Sequence, residues 1–380
     1  MINDLENKII ERLDLSANLD KEQILELIDV EVQKESKINR LSILEGKSLR
    51  QKIYSSIREL GLLQELINDP EITEIMVNGT EGIFIEKHGK LFSLEENFES
   101  EEKLKQVIYQ ITADCNRTVN ESNPIVDARL MDGSRVNVVL NPIAINGPIL
   151  TIRKFPPKPI MINDLINFGS INKQCADFLE DMVKKGLNIL ISGGTGSGKT
   201  TLLNVLSNFI LENERVITIE DSAELQLQNI KNLIRLETRN INIDGCKDIT
   251  IRDLLKTSLR MRPDRIIVGE VRSVETIDML QSINVGHSAM TTVHANSVKD
   301  VISRLETMVL MGMDMPLKAI RNQIVSGFDL MIHVGRFGDG KRGILQIAQP
   351  VNIVDGEVYF NMLFQRINGQ LKKIGEYKDE

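Results

Sequence analysis

Gly193-Gly194-Thr195-Gly196-Ser197-Gly198-Lys199-Thr200 has the residue types and spacing to hold a polyphosphate. The stretch fits G-x-x-x-x-G-K-[ST] residue for residue. Its glycines let backbone N–H groups turn inward around phosphate oxygens, where a Cβ would crowd several positions. In this motif the lysine, here Lys199, reaches the β- and γ-phosphates, and the hydroxyl at Thr200 takes a place on Mg²⁺. Gly194, Thr195, Gly196, Ser197, Gly198, Lys199, Thr200 and Thr201 are the candidate nucleotide contacts. A nucleoside triphosphate with Mg²⁺ is the ligand this chemistry calls for.

Cleaving a γ-phosphate also needs a carboxylate near the metal, a group that orients water and positive charge on the transition state. Glu220-Asp221-Ser222-Ala223-Glu224 follows the apolar run VITIE and puts acids at the end of an expected strand. Arg265 to Glu270 (RIIVGE) is an apolar strand ending in an acid, so Glu270 is the candidate that holds Mg²⁺ or its water. Asp264 lies at that strand's other end. Gly286 to Asn296 carries His287 and His294, and the strand between them delivers His294 to a strand end. An imidazole there can report the presence of a γ-phosphate. Arg235, Arg239, Arg260, Arg262 and Arg272 lie near these segments; Arg135 and Arg153 lie on strands further upstream. One or two could reach a nucleotide across a boundary, as arginine fingers do.

These groups need a scaffold that gathers strand ends. Leu187 to Ser192 reads as a buried strand and Thr200 to Leu211 as a helix, the setting the glycine motif requires. From 161 to about 335 strands (216–220, 233–237, 265–268, 290–294, 330–334) alternate with helices (251–260, 274–284). That alternation predicts an α/β domain with a mainly parallel sheet covered on both faces, and ligands beyond the carboxyl ends of its strands. The tail from Gly343 is β-rich, with Asp355-Gly356 as a turn. Upstream, 74–77, 82–87, 90–92, 126–130, 135–140 and 148–153 read as strands and 101–113 as an amphipathic helix, a smaller α+β domain. His88 sits in one of its hairpin turns. Lys154 to Ile160 (KFPPKPI) holds three prolines and predicts a stiff linker. Residues 1 to 60 show helical periodicity at Lys21 to Lys34 and again from Ser48 to Leu63. The expected division is thus 1–60, 61–153, 154–160 and 161–380.

The 380 residues are 42% apolar and 26% charged, with net charge −8. An acidic balance disfavours nucleic acid as the main partner, because phosphate backbones demand a basic face. No apolar run approaches the ~20 residues of a membrane span, and MINDLENKII has no apolar signal-peptide core, so the expected place is the cytoplasm. Cys115, Cys175 and Cys246 are far apart and show no metal spacing.

The set GGTGSGKT, ITIEDSAELQL, SLRMRPDRIIVGEVR, GHSAMTTVHANS and SRLETMVLMGMDMP resembles the secretion ATPases of type II and type IV systems, in particular the CpaF-like ATPases of tight-adherence (Flp) pilus assembly. The likeness runs from about Leu60 to Pro350. It implies a RecA-like ATPase domain that binds ATP and Mg²⁺ in a homohexamer on the inner face of the cytoplasmic membrane. It also implies work on an inner-membrane platform protein. By that resemblance Glu224 is the general base, Glu220 belongs to the same acidic box and Glu270 ends the metal-binding strand. His294 stands nearest the γ-phosphate, Arg135 and Arg153 clamp nucleotide, and Arg239 acts on a neighbouring subunit. Many members carry Pro-Pro-Asn after the arginine matched by Arg239; here Asn240-Ile241-Asn242 follows. No four-cysteine insertion is present, so no structural zinc is expected. Export by conjugation-type systems, a nucleotide-switched ring with little hydrolysis, a small-molecule kinase and a helicase are the alternatives; the intact acidic and histidine positions disfavour the switch, and the net charge the helicase.

Overall fold

The computed structural model describes residues 21–39, 42, 45–47, 49–50, 60, 62–115, 117–155, 159–239, 247–338 and 340–378. The chain divides into two compact units, Met1–Pro157 and Lys158–Glu380. The boundary falls within the proline-rich stretch, whose Pro156, Pro157 and Lys158 lie outside the described residues. Lys154 and Phe155, expected in the linker, instead belong to the first unit. Lys154 N–H donates to the Thr73 carbonyl and Phe155 N–H to Ser134 Oγ.

The first unit contains α1 (Lys21–Asn39), α2 (Leu62–Asn68) and α3 (Glu101–Asp114). The helix expected from Ser48 to Leu63 lies mostly outside the described residues. Six strands, β1 (Ile72–Asn78), β2 (Gly82–Lys87), β3 (Lys90–Ser93), β4 (Ile125–Arg129), β5 (Arg135–Val139) and β6 (Ile149–Arg153), form one antiparallel sheet in the order β3-β2-β1-β6-β5-β4. Alternation along the strands sends Ile75, Val77, Val136, Val138, Leu150 and Ile152 inward, where they share a core with Leu104, Ile108 and Ile111 of α3. Ser100 caps α3 by accepting Lys103 N–H, beside Glu101 and Glu102 at the positive helix end. His88 takes φ 51° before Gly89 at 74°, the paired left-handed turn of a two-residue hairpin, and is exposed.

The second unit is built on a nine-stranded sheet. Its parallel part holds β7 (Ile189–Gly193), β8 (Arg215–Glu220), β9 (Asn232–Glu237), β10 (Arg265–Val268), β11 (Ser288–Val293) and β12 (Leu330–Phe337). An antiparallel extension adds β13 (Lys341–Val354), β14 (Glu357–Ile367) and β15 (Gln370–Lys373). The order is β15-β14-β13-β12-β7-β11-β10-β8-β9. Helices α4 (Ile162–Asn167), α5 (Lys173–Lys184), α6 (Lys199–Ser207), α7 (Ile251–Ser258), α8 (Glu275–Asn284), α9 (Val298–Gly312) and α10 (Leu317–Gly327) cover it.

Strand β7 is buried throughout because it serves two cores. Ile189 and Ile191 face one with Leu203 and Leu206 of α6, while Leu190 faces the other with Leu280 of α8 and Leu305 of α9. A strand covered on both sides reads as a continuous apolar run, which is what LNILIS is. The tail closes with turns at Asp355-Gly356 (φ 51° and 83°) and Asn368-Gly369 (φ 48° and 80°), both the type that matches strand twist.

Candidate active site

The glycine loop joins β7 to α6. Gly196 and Gly198 hold φ 64° and 97°, a region that costs other residues strain, and Gly198 caps a helix with no side chain in the way. Gly193 is needed for another reason. A Cβ there would meet the Val334 carbonyl oxygen at 2.4 Å and Ser197 Oγ at 2.5 Å. The α6 N-terminus then points its first-turn amides and its dipole into the loop, an anion site by construction. Ser197 Oγ is buried and accepts or donates no hydrogen bond within the described residues, so the loop's interior keeps an unmet polar atom. Lys199 is buried along its stem, with Nζ 3.1 Å from the Gly194 carbonyl, and burial pulls its pKa down.

Parallel register brings the remaining candidates to the same end of the sheet. Ser192 pairs with Val293, Thr291 with Val268, and Val268 with Ile219. His294 therefore follows β11 directly beside the glycine loop, Glu270 follows β10, and Glu220 ends β8. Lys199 Nζ is 3.4 Å from both ring nitrogens of His294, so it addresses the ring without favouring one lone pair. His294 Nε2 lies 3.0 Å from Glu270 Oε1, and Arg272 Nη2 donates to Glu270 Oε2 at 2.9 Å. Arg272 Nη1 also reaches Asp221 Oδ2 at 3.3 Å. Glu270 Oε1 faces His294 outside hydrogen-bond alignment and is buried without a hydrogen bond among the described residues. Burial holds the His294 pKa below the ordinary imidazole value, against the pull of Glu270. Arg272 is raised, chiefly by its bond to Glu270.

These atoms fit a nucleotide and its metal. The cradle offers amides and Lys199 to phosphates, while Thr200 and Glu270 are the oxygen donors a hard cation prefers. A carboxylate with one oxygen left unbonded beside a lysine is suited to a metal's water shell.

Not every expected residue gathers there. His287 sits at the opposite end of β11, its Nδ1 3.2 Å from the Ser282 carbonyl. Asp264, expected at the far end of its strand, precedes β10 and accepts Arg215 N–H at 2.7 Å. Arg239 lies on the outermost side of β9, where Nη2 donates to the Lys247 carbonyl at 3.2 Å; Asn240, Ile241 and Asn242 lie outside the described residues. Glu220 is 3% exposed, and its Oε2 accepts the N–H groups of Glu224 (2.8 Å) and Leu225 (3.0 Å). It is buried like every β8 residue from Val216 onward, because the strand is covered on both faces.

In the first unit, Arg135 and Arg153 are direct cross-strand partners, and Arg129 is the next partner beyond Arg135. Three arginines thus form one row on the face away from the core, with Glu74 opposite Arg153. Like charges at opposed positions cost stability, and Glu74 opposite Arg153 offsets part of that cost. Sequence reading singled out Arg135 and Arg153 and not Arg129, which the register of the hairpin around Asp132-Gly133 brings beside them. Also missed was Arg336 on β12, whose Nη2 comes within 3.9 Å of the position a Cβ on Gly196 would take.

The family described as type II/IV secretion system protein matches residues 57–338. An uncharacterised protein of Methanocaldococcus jannaschii is 44% identical over 247 residues, 63% of this chain; the chain spans only 34% of that relative's length. The conjugal transfer protein TrbB of Rhizobium radiobacter is 30% identical over 73% of this chain and 83% of its own. The solved pilus retraction motor PilT with bound ADP aligns with TM-score 0.56 at 20% identity, covering 83% of each chain, a likeness of fold.

Proposed function

Because the chain belongs to the type II/IV secretion system protein family, we propose that it is an ATPase whose hydrolysis drives a pilus-assembly or secretion machine. The observation that carries this is the convergence of Lys199, His294 and Glu270 at one end of the sheet beside the glycine loop. ATP would bind with its β- and γ-phosphates in the loop from Gly194 to Thr201. Mg²⁺, held by Thr200 and through water by Glu270, would neutralise charge on those phosphates. Glu224 would accept the proton of the attacking water, and Lys199 would balance charge on the transferring group. His294, neutral and touching both Lys199 and Glu270, would register whether a γ-phosphate is present.

The arginine row Arg129, Arg135 and Arg153 would supply nucleotide contacts from the first unit, and Arg239 from a neighbouring copy. We place the protein at the cytoplasmic face of the inner membrane as a homohexamer acting on a membrane platform protein. No helix of the described residues is long and apolar enough to cross a membrane, so attachment would go through that partner. Two machines are the readings: a tight-adherence pilus, by the resemblance of the motif set, and conjugal transfer, by the name of the Rhizobium relative.

The test is Mg²⁺-dependent ATP turnover per subunit across a range of protein concentrations. A shared site predicts turnover per subunit that rises with concentration and saturates. Turnover independent of concentration in a protein that stays monomeric would rule out the ring.

A further inference from the structure

The segment from Asp221 to Gln228, which carries Glu224, has no regular secondary structure. Its backbone is nonetheless held at four points by side chains from the surrounding unit. Glu220 Oε2 accepts the amides of Glu224 and Leu225 at 2.8 and 3.0 Å. Asn204 Oδ1, on the helix that follows the glycine loop, accepts Gln226 N–H at 2.7 Å. One turn later, Asn208 Oδ1 accepts Gln228 N–H at 3.1 Å. Arg235 Nη2, on β9, donates to the Leu225 carbonyl at 3.1 Å.

Two details set Glu220 and Asn204 apart. A group that takes a proton from water needs an oxygen that water can reach. One oxygen of Glu220 is occupied by two amides, and the other is buried. Room for this placement comes from Gly269, where a Cβ would stand 3.1 Å from Glu220 Cγ. Asn204 and Asn208 share one face of α6 at i, i+4 spacing, so the helix that carries Lys199 and Thr200 at its start also grips the acidic segment along its side.

We infer that Glu220 and Asn204 are positioning residues: together they fix the Glu224 backbone to the phosphate-binding helix, so that the base and the cradle move as one body. The inference rests on the reading of Glu224 as base. Displacement of a reacting group by about 1 Å can cost ~100-fold in rate, which sets the scale of the effect.

The experiment uses the full chain and four variants, Glu220→Gln, Glu220→Ala, Asn204→Ala and Glu224→Gln. Steady-state ATP hydrolysis is read together with amide hydrogen exchange of the peptide covering 221–228. Glu220→Ala and Asn204→Ala should lower kcat by about 10- to 100-fold with little change in KM. Both should speed exchange of the 221–228 amides. Glu220→Gln keeps an oxygen that accepts both N–H groups, so it should keep kcat within about fivefold of wild type. Glu224→Gln should lose hydrolysis with exchange unchanged. If Glu220→Gln is as inactive as Glu224→Gln, Glu220 acts on the proton itself and the inference is overturned. Unchanged exchange in both alanine variants overturns it as well. Should the wild type bind ATP without hydrolysing it, the ATPase reading fails, while the exchange data still decide whether the clasp exists.

Discussion

At the scale of single residues, the legible part of the site was the part set by local chemistry. Lys199 and the glycines announce a phosphate cradle because only backbone amides, a lysine and a helix start can do that work at that spacing. Glu270 and His294 were found because apolar strands end at them. Glu220 was harder. Acids at a strand end look alike in sequence, and only the fold, which covers β8 on both faces through Glu220, shows which is buried. Valine, threonine and glutamate at 216, 218 and 220 share a face, and that face lies under α6. Lys199→Ala should weaken ATP binding by about 10- to 150-fold, the loss of one charge-assisted contact, read by equilibrium titration with a fluorescent nucleotide. Glu220 gives a pH prediction. Burial raises its pKa, against its two amide bonds. A carboxyl raised in the folded state adds stability below its unfolded pKa and loses it as pH rises through the folded value. The melting temperature of Glu220→Gln relative to wild type should therefore climb as pH goes from 5 to 8. A difference that stays flat or shrinks would contradict the burial of this group.

At the scale of elements, most strands were read to within a residue or two because their apolar runs are short and bounded; β12, expected to end at Val334, runs on to Phe337. Helices were read less completely. The sequence reading did not name α4, α5, α9 or α10, whose polar and apolar residues mix without the acidic landmarks that framed the strands. Their ends are nonetheless encoded: Asn172 caps α5 by accepting Cys175 N–H, and Ser297 caps α9 by accepting Asp300 N–H. The latter cap begins the helix three residues after His294, so the histidine is fixed between a buried strand and a capped helix. The pairing of Gly193 with Val334 on β12 does the same for the cradle. Gly193→Ala would force a Cβ against the Val334 carbonyl. It should destabilise the chain by about 1–3 kcal/mol and weaken nucleotide binding at once. Thermal melting with and without ATP checks both. Normal stability and affinity in this variant would mean that β12 does not press on the loop.

At the scale of the whole molecule, the chain divides into two compact units whose boundary falls within KFPPKPI, and Lys154 and Phe155 lie on the side of the first. Tertiary hydrogen bonds to Thr73 and Ser134, which no local pattern records, moved that edge. The arginine row is a property of the folded sheet, since Arg129, Arg135 and Arg153 become neighbours only in register. Arg135→Ala should lower ATP turnover by at least about tenfold and leave the melting temperature near wild type, because removing the middle one of three opposed like charges offsets the lost contacts. Turnover equal to wild type would take the row out of the reaction.

The central claim is that the glycine cradle and Glu224 together cleave a γ-phosphate. Single-turnover release of inorganic phosphate from Mg²⁺-ATP, with Glu224→Gln beside wild type and ATP binding measured on both, tests it most directly. The account predicts phosphate release from wild type and a loss of at least about 100-fold in the variant, with binding retained. Equal release from both proteins would contradict it.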